Sequence, residues 1–264
     1  MNVADYGWLI GLCALALILG PLYALRGRQH FDQLPERLPE RLDALIPQAR
    51  WLSPEQRTRW HQYCARFLIT KRFRGCGGLH LSDEMRIAVA GLACLLVLRE
   101  SAEVFPRLRS VLLYPDAFLV PQTEPDELGL VSDEPQEQIG ESSSLGQVVL
   151  SWADVQAALQ GDAVNVVAHE FAHQLDDETP DSEGAPRTPD VQRWASVMSA
   201  EFQRLRRHRR PPVLDPYGAE SPAEFFAVVT EAYFQRGAEL QRHHPELYAL
   251  LRDYYGIETA QPAG

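Results

Sequence analysis

The chain is poor in cysteine. It has four in 264 residues, Cys13, Cys64, Cys76 and Cys94, and no two of them form a CxxC pair. That excludes the disulfide framework of a small secreted domain and a cysteine zinc site, and makes a reducing compartment the simpler setting. Positive charge is also short: 25 Lys and Arg stand against 36 Asp and Glu, a net charge of −11. Nucleic acid and anionic lipid are therefore repelled by the molecule as a whole, and no nucleic-acid partner is expected. One local exception, "RLRRHRR" from Arg204 to Arg210, reads as a solvated helix end or loop. The first residues lack the basic n-region of a cleaved signal peptide. No internal repeat is visible. What is plentiful is apolar material, 45% of the residues, enough for a globular core.

Some of that apolar material lies at the start. "YGWLIGLCALALILGPLYAL", Tyr6 to Leu25, contains no charged residue, and about 20 apolar residues cross a bilayer as a helix. Asp5 precedes it and Arg26 and Arg28 follow, which by the positive-inside rule places the bulk of the chain in the cytoplasm. The expectation is an inner-membrane anchor over residues 1–26 with the membrane crossed by residues 6–25, the cytosol being the alternative location. A linker or helical lead-in follows over 27–50, then a catalytic domain over 51–258 and a tail over 259–264. The second apolar run, Ile87 to Leu98, is flanked too closely by Arg86 and Arg99 for another span and reads as a buried helix.

Helices dominate the remaining pattern. Ser53-Pro54 opens one, "SPAEFFAVVTEAYFQR" from Ser221 another, and "HPELYALLRDYYG" from His244 the last. Short strands are predicted at "SVLLYPDAFLV" (Ser110 to Val120) and "QVVLSW" (Gln147 to Trp152), with an acidic surface loop from Gln122 to Ser144 between them. The order predicts an α+β fold, mostly helical with a small sheet. "QVVLS" is either the strand at the edge of a substrate cleft, where a peptide adds as a further strand, or an interior strand.

The chemistry concentrates in "NVVAHEFAHQLDDE", Asn165 to Glu178. His169 and His173 are one helical turn apart, about 40° on the helical wheel, so both imidazoles can reach one ion. Glu170 is rotated by about 100° and reaches a water on that ion instead. This is the HExxH arrangement: two histidines hold zinc, and the glutamate takes a proton from the water and returns it to the leaving amine. Two core histidines with local partners are the bland alternative. A metzincin is excluded, because the glycine and third histidine it needs fall on Asp176 and Thr179. His208, His243 and His244 are poorly placed as a third ligand, and carboxylates at Glu224 and Glu231 are both open candidates. Glu224 also completes a capping box with Ser221. Asp176, one turn past His173, works against the helix dipole and needs a local reason. It can hold the free N–H of a zinc histidine, bind a substrate's α-amino group, or make a turn hydrogen bond.

The segments "VVLSW", "NVVAHEFAHQLD" and "YGAESPAEFFAVVTEAYF", with "KRFRGCGGLHLSDEMRIAVAGLACLL" and "LLYPDAFLV" in the same order, resemble the zinc peptidases typified by Mlc titration factor A. The likeness covers about Trp51 to Tyr255. It implies a zincin-like metallopeptidase domain with an active site similar to that of the anthrax lethal factor catalytic domain, one zinc ion per chain, and aminopeptidase-type cleavage of peptide substrates. By the same resemblance His169, His173 and Glu224 are the zinc ligands and Glu170 is the general base. Tyr217, seven residues before Glu224, matches a tyrosine thought to donate to the oxyanion in lethal-factor-like sites. The family's founding member binds a glucose-regulating transcriptional repressor, so a regulatory binding protein controlling sugar uptake is the second function implied. The apolar segment at Tyr6 to Leu25 departs from that prototype.

Overall fold

The computed structural model describes residues 34–99, 104–116, 118–120, 136–138, 140–143, 146–178, 184, 186–207 and 212–260. The apolar segment Tyr6 to Leu25, the end of the basic block and Thr179 lie outside these. Among the described residues no helix is long and apolar enough to cross a membrane.

Helix α1, Leu38–Leu45, and a 3₁₀ turn, Pro47–Trp51, come first. Leu38, Leu42 and Ile46 recur at helical spacing and are buried, so this stretch is a lead-in packed into the core rather than a tether. Helix α2, Pro54–Thr70, starts with a reciprocal capping box. Ser53 Oγ accepts the Gln56 backbone N–H, and the Gln56 side chain accepts that of Ser53. Two donors that a helix start leaves unpaired are thereby satisfied. Helix α3, Asp83–Leu95, is capped by Ser82 and buried continuously from Arg86 to Leu95, which fits its apolar, small-residue sequence. Gly91 lets α3 approach its neighbours: a Cβ there would meet Ile46 at 2.6 Å, and the Gly91 carbonyl accepts the Trp60 indole N–H at 2.9 Å.

The strands are β1 (Arg72–Gly75), β2 (Ser110–Tyr114), β3 (Phe118–Val120), β4 (Gln136–Gln138), β5 (Gly140–Ser143) and β6 (Gln147–Ser151). The main sheet has the order β1-β2-β6-β5. Its first three strands are parallel, and β5 runs antiparallel to β6. Phe73, Val111 and Val148 align across the three parallel strands and are buried. One of two alternatives is decided here, and one expectation is corrected. "QVVLS" is an interior strand, and the described edge beside it is β5. The acidic stretch expected to be a loop contributes β4 and β5, because backbone pairing to β3 and β6 needs no apolar alternation in their own sequence.

The chain continues through α4 (Trp152–Leu159), α5 (Val166–Asp176), α6 (Val191–Arg207), a 3₁₀ turn (Pro216–Ala219), α7 (Pro222–Gln235), α8 (Gly237–His243) and α9 (Pro245–Tyr255). The HExxH helix α5 is packed between β5 and β6 on one side and α7 on the other. Phe171 anchors it from below, its ring meeting Phe105 edge-on at 4.7 Å and Phe67 at 5.7 Å. Burial of such aromatic rings fixes the helix against the sheet. The fold runs past residue 258: Thr259 is buried, and the backbone N–H groups of Thr259 and Ala260 donate to the Tyr248 hydroxyl.

Candidate metal centre

Helix α5 begins at Asn165, whose side-chain oxygen accepts the Ala168 N–H at 3.0 Å. The cap is followed by Val166, Val167 and Ala168, all buried, and these turn His169 and His173 toward α7. That helix begins with Ser221 accepting the Glu224 N–H at 3.1 Å, and its first turn presents the Glu224 carboxylate to both imidazoles. Nε2 of His169 lies 3.3 Å from Nε2 of His173 and 3.1 Å from Glu224 Oε2, and Nε2 of His173 lies 3.5 Å from Glu224 Oε1. Ligands bonded to a tetrahedral zinc at about 2.0–2.1 Å stand about 3.3–3.4 Å from one another. The two imidazole nitrogens have the spacing of two corners of such a tetrahedron, and a Glu224 carboxylate oxygen lies close to each of them. Among the described residues these three side chains are also the one group whose donor atoms converge closely enough to hold a metal ion. Glu224 Oε2 is buried and, although close to His169, makes no well-directed hydrogen bond, so its lone pairs are available to a cation.

The surroundings favour a cation. Glu170 is buried, at 4% exposure, and its charge acts on both His169 and Tyr217. Burial disfavours the His169 imidazolium, but the carboxylates of Glu224 and Glu231 outweigh it and raise the pKa to about 10. Burial likewise disfavours the Glu224 anion, and the two histidines outweigh that and lower it to about 2. A metal-free site at pH 8 thus holds Glu224 ionised and a proton on His169 that a zinc ligand cannot keep. Zinc uptake at pH 8 is expected to release about one proton from this histidine, measurable by calorimetry in buffers of different ionisation enthalpy. Uptake without proton release contradicts the raised pKa of His169.

Tyr217 sits on the 3₁₀ turn, where the Asp215 side chain accepts its backbone N–H at 2.8 Å. Its ring is 6.2 Å from that of His169 and is 46% exposed, so it overhangs the site from the solvent side. Burial, then the charges of Glu224 and Glu220, push its pKa up to about 12, which keeps the phenol a hydrogen-bond donor at neutral pH.

Asp176 makes one contact with the loop that follows α5. Its Oδ2 accepts the Gly184 N–H at 2.8 Å, and the Gly184 carbonyl accepts the Trp194 indole N–H at 3.2 Å. Gly184 has φ +70°, and a Cβ there would lie 2.4 Å from the Pro222 carbonyl oxygen. Asp176 therefore ties the loop after α5 to the start of α7. The carboxylate on the ring N–H of a candidate ligand is instead Glu231, whose Oε1 lies 2.6 Å from His169 Nδ1. Glu231 was legible only as a rival ligand. Its seven-residue spacing from Glu224 puts both on one face of α7, but which carboxylate meets which imidazole nitrogen depends on how α7 sits against α5. The Asp177 carbonyl at the C-terminus of α5 accepts from Arg107, a cation where the helix dipole favours one.

The chain is similar to known proteins over most of its length. A family model described as glucose-regulated metallo-peptidase M90 matches residues 24–256. A relative from Synechocystis, named Uncharacterized protein slr2042, is 40% identical over 264 aligned positions, covering 92% of this chain and 96% of its own. Mlc titration factor A of Klebsiella pneumoniae strain 342 is 33% identical, with 82% of this chain and 84% of that protein covered. The protein of the same name from Escherichia coli O1:K1 is 29% identical with the same coverage.

Proposed function

This chain belongs to the glucose-regulated metallopeptidase family M90, and from that premise we propose that it is a zinc-dependent peptidase with aminopeptidase-like cleavage. The observation that carries the reading is the convergence of His169 Nε2, His173 Nε2 and the Glu224 carboxylate beside a buried Glu170. These three side chains would hold the zinc, which would supply Lewis acidity for water and for the scissile carbonyl. Glu170 takes a proton from the attacking water and delivers it to the leaving amine as the C–N bond breaks. The Tyr217 hydroxyl donates to the carbonyl oxygen as negative charge develops there. The backbone of β5, at the described edge of the sheet against α5, offers an extended peptide a strand to pair with. The aminopeptidase type rests on the resemblance. A panel of aminoacyl and internally quenched peptides tests it: chelator-sensitive release of single N-terminal residues supports the proposal, and cleavage confined to internal bonds contradicts the aminopeptidase type.

The resemblance to the Mlc titration factor A type implies a second reading, a regulatory protein that acts on sugar uptake through a transcriptional repressor, with hydrolysis secondary. Co-purification with such a repressor from a protein lacking hydrolysis on the whole panel decides for it.

The family match starts at residue 24, at the end of the uncharged run Tyr6 to Leu25. The proposed role of that run is to anchor the domain to the cytoplasmic face of the inner membrane. Full-length protein is expected in the membrane fraction, and a chain starting at Arg28 in the soluble fraction with unchanged hydrolysis. Recovery of the full-length protein entirely in the soluble fraction contradicts the anchor.

A further inference from the structure

The Glu231 side chain is nearly buried, and both of its oxygens are engaged. Oε1 lies 2.6 Å from His169 Nδ1, and Oε2 accepts the backbone N–H of Asn165 at 2.9 Å. Asn165 is the N-cap of α5, the helix that carries both histidines and Glu170. An ionised carboxylate accepts but cannot donate, so the His169 nitrogen facing it carries the hydrogen. That leaves Nε2, the atom 3.3 Å from His173 Nε2 and 3.1 Å from Glu224, as the nitrogen that gives up its proton and turns a lone pair to the metal.

We propose that Glu231 is the positioning residue of the metal centre. Resting on the zinc-peptidase reading, the proposal gives this one side chain two tasks. It holds His169 in the Nδ1–H form that leaves Nε2 free to bind zinc. It also seats the N-terminus of α5 against α7 through Asn165, so the histidines and Glu224 keep their mutual distances. Glu231 touches neither zinc nor substrate in this arrangement; it acts through His169 and the cap.

Glu231→Gln tests the proposal, because an amide of the same shape has one accepting and one donating end. With its oxygen on the Asn165 N–H, its NH₂ faces His169 Nδ1 and favours the Nε2–H tautomer, which cannot bind zinc. Turned around, it sets two N–H groups against each other at Asn165. Either arrangement loses one of the two contacts. The expected result is a folded protein whose zinc affinity, measured by competition with a chromophoric chelator, is about 10- to 100-fold weaker, the usual cost of losing such a partner. Nitrogen-15 NMR of the zinc-loaded native protein adds a readout that needs no variant: His169 is expected to be metallated on Nε2 and protonated on Nδ1. Native zinc affinity in folded Glu231→Gln, or native metallation on Nδ1, overturns the proposal. If Glu231→Gln does not fold, the native NMR assignment decides alone. Absence of zinc binding by the native chain overturns the zinc-peptidase reading and this proposal together, whereas native binding with an unaffected variant overturns only the role of Glu231.

Discussion

Glu170→Gln is expected to keep the fold and the zinc and to lose at least about 10²-fold in kcat for peptide hydrolysis, the scale of removing a general base. The side chain is buried one residue from His169 and is not one of the three converging ligands. An amide of the same volume therefore leaves the packing of α5 and the ligand geometry in place. What it removes is the ability to take a proton from water and pass it on. Zinc content and kcat measured on the same preparation separate the two effects. Native turnover in a zinc-loaded variant contradicts the assignment of Glu170 as base.

A second large effect is expected at Glu224. Glu224→Ala removes one of three protein ligands, so zinc affinity should fall by more than the roughly 10- to 100-fold that loss of an outer partner costs, with hydrolysis falling alongside. Ser221 keeps its bond to the residue 224 backbone N–H in the variant, so that capping contribution is preserved. Tyr217→Phe provides the contrast. Its phenol overhangs the site without belonging to the converging group, so zinc should stay and kcat should fall with little change in KM, the signature of a contact made in the transition state. Zinc affinity unchanged in Glu224→Ala and lost in Glu231→Ala would move the third ligand to Glu231.

Much of this centre is legible in the sequence because helices translate spacing into direction. His169 and His173 share a face whatever surrounds them, and the caps at Ser53 and Ser221 announce where α2 and α7 begin. The strands Ser110–Tyr114 and Gln147–Ser151 are equally visible, being β-branched and apolar. Tertiary placement is what the sequence conceals. Glu224 and Glu231 lie seven residues apart on one face, and only the docking of α7 on α5 puts the first against Nε2 and the second against Nδ1 of the same imidazole. Asp176 is a helix-end acid in the sequence. Its Gly184 partner lies across a loop whose path no local pattern encodes. The strand Gly140–Ser143 is invisible for a different reason: its sequence is polar, and its place comes from backbone pairing with Gln147–Leu150. Leu38, Leu42 and Ile46 form a readable apolar stripe, yet proline punctuation on either side suggests a tether, and only their burial shows that α1 belongs to the core.

The most direct measurement is a zinc titration of chelator-stripped protein, following bound metal by equilibrium dialysis and peptide hydrolysis in the same samples. With His169, His173 and Glu224 as the single convergent donor set among the described residues, hydrolysis should be absent without metal and should rise in proportion to occupancy. Both should saturate together at about one zinc per chain. Full hydrolysis by the metal-free protein, or hydrolysis indifferent to zinc occupancy, would contradict the assignment of this site as a zinc peptidase centre.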